Sequence, residues 1–565
     1  MRTKDYDSIP AALRDFSVSV PEHFNWGFDV IDRWAREKPQ LLSLVYTDDD
    51  GRTERRTFRE ISEQSSRIAN LLAKNGIGRG DAVLVMLPNV AILWSLVVAL
   101  FKVGATIVPS ASGLAPKDIE YRVTKANIRG VVTSPDNVGK FTGVLAERPG
   151  PFSFLGVTGP VANSQWNNLQ DAERESSRFP QVKETKSSET AIIYFTSGTE
   201  GLPKMVLHTH ASYPLGHRVT ALWLGLREGQ LHWNISSPGW AKHAWSSIFA
   251  PWNVGAATVA YNGRGPFSAA KHLQKMVELG VNSVCGSPTV WRMIMLEDLS
   301  KYDLSSIASA TSAGEPLNPE VIERFKKATG VTIRDGYGQT ETVLAVGNFP
   351  GVKIKPGSMG LPSPLYDIEV VDSEGRVQKP KEEGHVAIRI TPERPFALLS
   401  EYSGDPQRND EAFRNGWYYT GDRGFKDEDG YFWYVGRADD VVKSSGYRVG
   451  PFEVESALVK HPAVVEAAVV SSPDPVRGAI LKAYVVLRPG HAASEELANE
   501  LGTFVARETA PYKHPRKIEF VESLDPVKTI SGKIRRKALR EAEYGKGEKQ
   551  VSGTEFTLRP LRDTA

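Results

Sequence analysis

Short runs of almost purely apolar residues alternate along this chain with longer stretches in which apolar residues recur every three or four positions. Residues 82–87 (AVLVML) are followed by an apolar helical segment that Gly104 can end, and then by a second buried run at 106–109. The same order returns at Gly130 (GVVTS), at Ala191 (AIIYF), at 269–279 followed by VNSVCGSP, and at Glu320 (EVIERFKKATG) followed by VTIRDGYG. Each run is too apolar to leave one face wet, so parallel sheets covered by helices are the economical solution. Thr57 and Glu60 are spaced as a capping box, with Ile61, Ile68, Leu71 and Leu72 on one helical face and Gly76 as a stop. Asn89 is placed to cap the next helix.

From about residue 362 the texture changes to short alternating strands at 367–375, 384–390 and 430–437. The expected fold class is therefore α/β: a large N-terminal domain, 1–438, of helix-covered sheets with a β-rich subdomain over about 362–438. A small C-terminal α+β domain, 439–545, follows, with Pro451 opening a helix, strands near 464 and 482, a helix over 495–508 and a strand at 516–521. The last segment, 546–565, lacks periodicity and is expected to be a loosely held tail.

At 565 residues the chain has room for three or four units of ~150 residues. Its 41% hydrophobic and 24% charged content excludes long-range disorder. A net charge of +2 gives no global field for nucleic acid or an anionic membrane, so anions must be met locally. One cysteine, Cys285, can form neither an internal disulfide nor a four-thiolate metal site, and it suits a reducing compartment. The N-terminal residues carry charge and no apolar core of a signal peptide, and the longest apolar stretch, 90–101, is shorter than the ~20 residues of a membrane span. No nucleic-acid partner and no membrane span are expected, and cytoplasmic residence is the default.

Five segments carry chemistry. TSGTEGLPK, from Thr196 to Lys204, follows an apolar strand and offers small hydroxyl residues, two glycines and a lysine; its backbone N–H groups can close around phosphate oxygens. It lacks the spacing of a Walker A loop. DGYGQTE, from Asp335 to Glu341, joins an aromatic face at Tyr337 to the polar groups of Gln339 and Thr340 and a carboxylate, which suits a stacked purine and a Mg²⁺ on its phosphates. YTGD ends at Asp422, read as a carboxylate after a tight turn that could accept from two ribose hydroxyls. GRADD supplies Arg437, and TISGK supplies Lys533. Taken one at a time, these last three read equally well as solvated surface charges.

In their order and wording the five segments resemble the successive signatures of the adenylate-forming superfamily, which includes acyl-CoA synthetases, peptide-synthetase adenylation domains and luciferases. SPGWAKHAWSSIFAPW from Ser237 and SSGYRVGPFEVE from Ser444 resemble the medium-chain acyl-CoA synthetase branch. The resemblance implies MgATP-dependent adenylation of a carboxylic acid with pyrophosphate release, then thioester formation with CoA, by two domains of which the smaller swings between two poses. It implies that Thr196, Ser197, Gly198, Thr199, Gly201 and Lys204 wrap the β,γ-phosphates, and that Gly314, Glu315 and Pro316 with Asp335, Gly336, Tyr337, Gly338 and Gln339 form the adenine slot. Thr340 would meet the α-phosphate, Glu341 the Mg²⁺, and Asp422 and Arg437 the ribose. Lys533 would bridge α-phosphate and attacking carboxylate, so that Lys533, Thr196, Glu341 and Thr340 are the expected catalytic groups. Trp240 and Gly338 would line the acyl pocket; Ser445, Gly446, Tyr447, Arg448 and Arg477 would meet CoA; Asp439 would be the hinge.

Glu200 departs from the family pattern by putting a carboxylate in the phosphate loop, and 524–530 is slightly longer than in the nearest branch. The expected acid is a short, medium or branched fatty acid. The alternatives are a benzoate-like acid, a free-standing enzyme that loads a carrier-protein pantetheine arm, a kinase, and a nucleotide-binding homologue without activity. A homo-oligomer is left open, because nothing in the sequence reports on it.

Overall fold

The structure, a computed structural model, describes residues 11–147, 152–162, 165–181, 185–196, 203–444, 447–475, 478–528 and 534–559. Two large sheets dominate them. One runs, edge to edge, through Leu361–Pro362, Val346–Gly347, Ile333–Tyr337, Ser309–Ala313, Ser283–Gly286, Leu231–Asn234, Ala257–Asn262, Leu42–Asp48 and Thr53–Thr57, parallel through its centre. The other is built on parallel strands Thr106–Pro109, Ala82–Met86, Ile128–Thr133 and Phe154–Val157, with the antiparallel pair Thr190–Thr196 and Lys204–Thr209 on one side. The apolar runs read from the sequence are these strands, buried because helices cover them.

Between the sheets lies a core of large rings, with Trp26, Trp94, Trp252, Phe58 and Phe101 fully buried. The helix Phe58–Lys74 begins in the expected capping box: Thr57 Oγ1 accepts from Glu60 N–H at 3.3 Å, and Thr57 N–H donates to the Glu60 carboxylate at 2.7 Å. The helix Ile92–Val103 ends at Gly104, whose φ of +76° strongly favours a residue without Cβ. Asn89 does not cap it. Ala91 is the N-terminal cap, and the Asn89 side chain instead meets His243 Nε2 at 3.1 Å, because the tertiary fold offers it a partner across 154 residues.

The β-rich unit is a sheet of Ile368–Val371, Gly384–Arg389, Trp417–Lys426, Phe413–Arg414 and Phe432–Arg437. Asp422 therefore does not follow a tight turn as the sequence reading had it. It stands inside the ten-residue strand Trp417–Lys426, one residue after Gly421, whose φ is +77°. Beyond Arg437 come the helices Pro451–Lys460 and Glu495–Glu508 and a sheet of Val464–Asp474, Gly478–Leu487, Lys517–Val521 and Gly553–Thr557. The last of these strands corrects the expectation of a loose tail. Gly553–Thr557 pairs antiparallel with Lys517–Val521, flanked by buried Val551 and Leu558. Its Glu555 reaches buried Lys482, which also binds Glu519 and Glu543 at 2.6 Å. The strand lies at a sheet edge and is largely exposed, so it has no apolar alternation to read. Among the described residues no helix is long and apolar enough to cross a membrane.

Candidate functional site

The parallel strands Leu231–Asn234, Ser283–Gly286, Ser309–Ala313 and Ile333–Tyr337 all end on the same side of their sheet. Open α/β sheets bind ligands outside these carboxyl ends. There a cleft of about 1080 Å³ is lined by Asn234, Gly314, Glu315, Pro316 and residues 335–341, by Thr196 and Lys204 of the second sheet, by Asp422 and Arg437 of the β-rich unit, and by Glu455 and Arg536 beyond it. Four parts of the chain thus share one cavity.

The strand end at Tyr337 is shaped by tryptophans. A Cβ on Gly336 would stand 2.6 Å from the Trp223 indole, and one on Gly338 2.2 Å from that of Trp245. In the fold both glycines face protein rings, and Tyr337 between them lines the cleft. Its hydroxyl donates to Asp422 Oδ2 at 2.6 Å, and Gln339 Nε2 donates to the same oxygen at 2.5 Å. Arg437 meets Asp422 Oδ1 at 3.2 Å, because the register of Trp417–Lys426 against Phe432–Arg437 sets the two residues directly opposite. The adjacent Asp422 carboxylate holds the Arg437 guanidinium above its usual range. Burial, with the Asp422 charge beside it, pushes the Tyr337 hydroxyl well up, so it stays a donor.

The network continues. Tyr418 Oη lies 3.4 Å from Gln339 Oε1 and 3.2 Å from Tyr402 Oη, which donates to Glu341 Oε1 at 3.0 Å. Lys204 lies over the Tyr402 ring at 5.9 Å, with Arg408 on the same ring at 5.7 Å. Burial, then the Arg408 charge, pulls the Lys204 ammonium down. Thr340 is fixed by its carbonyl, which accepts from His208 Nε2 at 2.7 Å and from Tyr213 Oη at 3.4 Å. Burial drops His208 to about 3, so the ring is neutral, and a carbonyl partner requires the tautomer with hydrogen on Nε2.

Asp335 is likewise structural within the site. Its carboxyl accepts from Leu317 N–H at 3.1 Å and Gly336 N–H at 3.0 Å, and burial pushes it up to about 7. It shapes the slot formed with Gly314, whose φ is +110°, Glu315 and Pro316.

Trp240 and Trp245 line the cleft beside Gly338, whereas Trp252 is core. Gly338→Ala is expected to cost about 1–3 kcal/mol of stability through overpacking. Its Cβ would meet the Trp245 ring and the Val343 carbonyl at 2.7 Å. Pushing Trp245 into the cavity should also narrow it beside Gly338, and thermal unfolding measures the stability lost.

Asp439 lies in an exposed turn after Arg437; Asp440 and Val441 N–H groups return to the Arg437 carbonyl. Arg540 binds the Asp439 carbonyl and the Asp440 carboxylate, both at 2.9 Å. Arg536 grips Glu455 with two nitrogens, at 2.6 and 3.1 Å. Ser197, Gly198, Thr199, Gly201, Ser445, Gly446, Arg477 and Lys533 lie outside the described residues, as does Glu200; of Tyr447 and Arg448 only the backbone is described, in the strand Tyr447–Val449. His208, Tyr402, Tyr418, Arg408 and Arg536 were missed as site residues. None sits in a glycine-rich segment, and only the contact across the fold gives them a role.

Residues 31–391 match the family model of the AMP-binding enzymes, and 453–533 that of the AMP-binding enzyme C-terminal domain. The chain is 42% identical over 551 residues to the acyl-coenzyme A synthetase ACSM3 of Rattus norvegicus, named as mitochondrial, covering 96% of this chain and 94% of that one. It is 45% identical over 539 residues to 4-hydroxybutyrate–CoA ligase 1 of Metallosphaera sedula, covering 95% and 93%. In three dimensions it resembles an anthranilate CoA ligase solved with anthranoyl-AMP, with a TM-score of 0.84, 30% identity, and 93% and 98% of the two chains covered.

Proposed function

This chain belongs to the AMP-binding enzyme family, and from that premise we propose that it is an acyl-CoA synthetase: it joins a carboxylic acid to CoA through an acyl-adenylate. The observation that carries this reading is the Asp422 carboxylate, buried between Tyr337, Gln339 and Arg437 on the wall of a cleft that also holds Lys204 and Glu341. A nucleotide in that cleft has a ring to stack on, a carboxylate for its ribose, and a cation for its phosphates.

A carboxylate is a poor acylating agent because its leaving group would be oxide. In the first step its oxygen attacks the α-phosphorus of ATP, a P–O bond forms, and the bond to pyrophosphate breaks. In the second the CoA sulfur, as thiolate, attacks the acyl carbon and AMP leaves with the electron pair of the C–O bond. Splitting the substitution replaces one hard step by two easier ones. Thr196, Thr340 and Lys204 act on the phosphates, Asp422 and Arg437 on the ribose, and Gly314, Glu315 and Pro316 on the adenine. The protein contributes mainly by preorganised charge and donors.

Glu341 suits a Mg²⁺ that is held chiefly by phosphate and water, as this ion usually is: its Oε1 is steadied by Tyr402 and it lines the phosphate end of the cleft. Such an ion would neutralise phosphate charge. Trp240, Trp245 and Gly338 border the acid, for which we favour a short, medium or branched chain. A single cysteine suits a reducing setting, for which we favour the cytoplasm, while the rat relative is named mitochondrial.

The swing of the smaller domain turns on Asp439. Asp439→Pro fixes φ at the hinge, and it is expected to spare one half-reaction and impair the other by about tenfold or more. Equal loss of both, measured separately as pyrophosphate release and as thioester formation from supplied acyl-AMP, would count against alternation.

The test of the function is a panel of straight, branched, hydroxylated and aromatic acids with MgATP, with and without CoA. AMP and pyrophosphate dependent on acid, and acyl-CoA when CoA is present, are expected. ADP would indicate γ-phosphoryl transfer instead, and acyl-AMP that only a carrier-protein arm can discharge would replace CoA as acceptor.

A further inference from the structure

The acid end of the cleft contains a group that adenylation does not use. Lys242, in the short helix Ala241–His243, lines the cavity, yet its Nζ is shielded from solvent and has no hydrogen-bond partner among the described residues. Two other residues that line the cavity carry similar atoms: Asn234 Oδ1 and Trp240 Nε1 are buried and have no partner among the described residues. Asn234 spends its Nδ2 on the Lys242 carbonyl at 3.2 Å and on Ser247 Oγ at 3.0 Å, which fixes its Oδ1 in place.

Buried polar groups without partners are rare in folded proteins, and each is costly to leave unmade. Two donors and an acceptor on residues that line the same cavity are the groups an oxygen atom of a bound molecule would satisfy. An alkyl chain would leave all three as they are. Resting on the reading of the cleft as an acid-activating site, we infer that Lys242, with Asn234 and Trp240, recognises a hydroxyl or keto oxygen on the acyl chain, so that the enzyme prefers oxygenated acids to alkyl acids of the same size.

A hydroxyl is matched better than a second carboxylate, because the unpartnered Asn234 Oδ1 needs a donor and an ionised carboxylate has none. Burial pulls the Lys242 ammonium below its usual range, opposed in part by the Cys285, Glu315 and Asp335 side chains. A site built to hydrogen-bond a substrate hydroxyl discriminates strongly against the analogue without it, whereas an apolar pocket discriminates only weakly between isosteres.

The experiment compares kcat/KM for acid-dependent AMP formation with 4-hydroxybutanoate against pentanoate, and 3-hydroxybutanoate against 3-methylbutanoate, in the full-length enzyme, Lys242→Met and Lys242→Gln. The wild type is expected to favour the oxygenated member of at least one pair by about tenfold or more. Lys242→Met should abolish that preference, and Lys242→Gln, which keeps a donor, should retain part of it. A wild-type preference for the alkyl member of both pairs, or an unaltered ratio in Lys242→Met, overturns the assignment. Should Lys242→Met fail to fold, as read by thermal unfolding, the wild-type ratios decide alone. Absence of AMP and pyrophosphate with every acid would overturn the acyl-CoA synthetase reading itself; activity with the wrong preference overturns only the role of Lys242.

Discussion

Lys533→Ala should lower acid-dependent pyrophosphate release by about 10²–10³-fold, the loss expected when one preorganised donor to a developing charge is removed. In the role proposed for Lys533, adenylation is the step that needs it. Two anions, the acid carboxylate and the α-phosphate, must approach within bonding distance, and their repulsion peaks as the P–O bond forms. A lysine between them is worth most at that moment. Transfer of the acyl group from supplied acyl-AMP to CoA has no such convergence, so it should fall by less than about tenfold. The measurement is the pair of half-reactions on the same preparation, with thermal unfolding as a control. Equal losses in both would remove Lys533 from the adenylating role and leave it a general structural cation.

Asp422→Ala is expected to have an effect of the same order by a different route. The carboxylate is 3% exposed and serves Tyr337, Gln339 and Arg437 together. Its removal strands a half-buried guanidinium and two donors. Breaking a buried pair from one side costs ~3–5 kcal/mol, and the partial exposure of Arg437 favours the lower end. Nucleotide use should suffer further. A carboxylate has about four acceptor sites, of which the protein takes three, so in the proposed site two ribose hydroxyls would take the remaining one and displace Tyr337 or Gln339 from another. Loss of hydrogen bonds to a charged acceptor, at ~1.5–3 kcal/mol each, predicts a fall of about 10²–10³ in kcat/KM for ATP. Asp422→Asn, which keeps an acceptor but not the charge, should fall between. AMP affinity by calorimetry separates the two contributions: wild-type affinity in a destabilised Asp422→Ala would confine the residue to holding the sheet together.

The strands and helices that build the two large sheets could be read because their signals are local. Six apolar residues between two helical periods, or Thr57 and Glu60 three residues apart, state their conformation without reference to anything distant. The same holds for the nucleotide-facing segments, whose glycines, hydroxyls and carboxylates stand close together in sequence. Asn89 shows where this stops. Its capping role was sound by local rules, but a partner at His243 won. The edge strand Gly553–Thr557 shows another limit, since with most of its side chains in solvent it has no alternation to betray it.

By itself, then, the amino-acid order determined the α/β architecture and marked the segments proposed to meet a nucleotide, because hydrophobic period and backbone freedom act over about ten residues. Only the tertiary structure decided which of those groups touch. Tyr337 reaches Asp422 across 85 residues, Arg437 opposes Asp422 through strand register, His208 holds Thr340 across 132, and the Lys242 ammonium is buried without a partner among the described residues. Such pairings follow from sheet order, register and the meeting of separate units, and these depend on the packing of the whole chain at once.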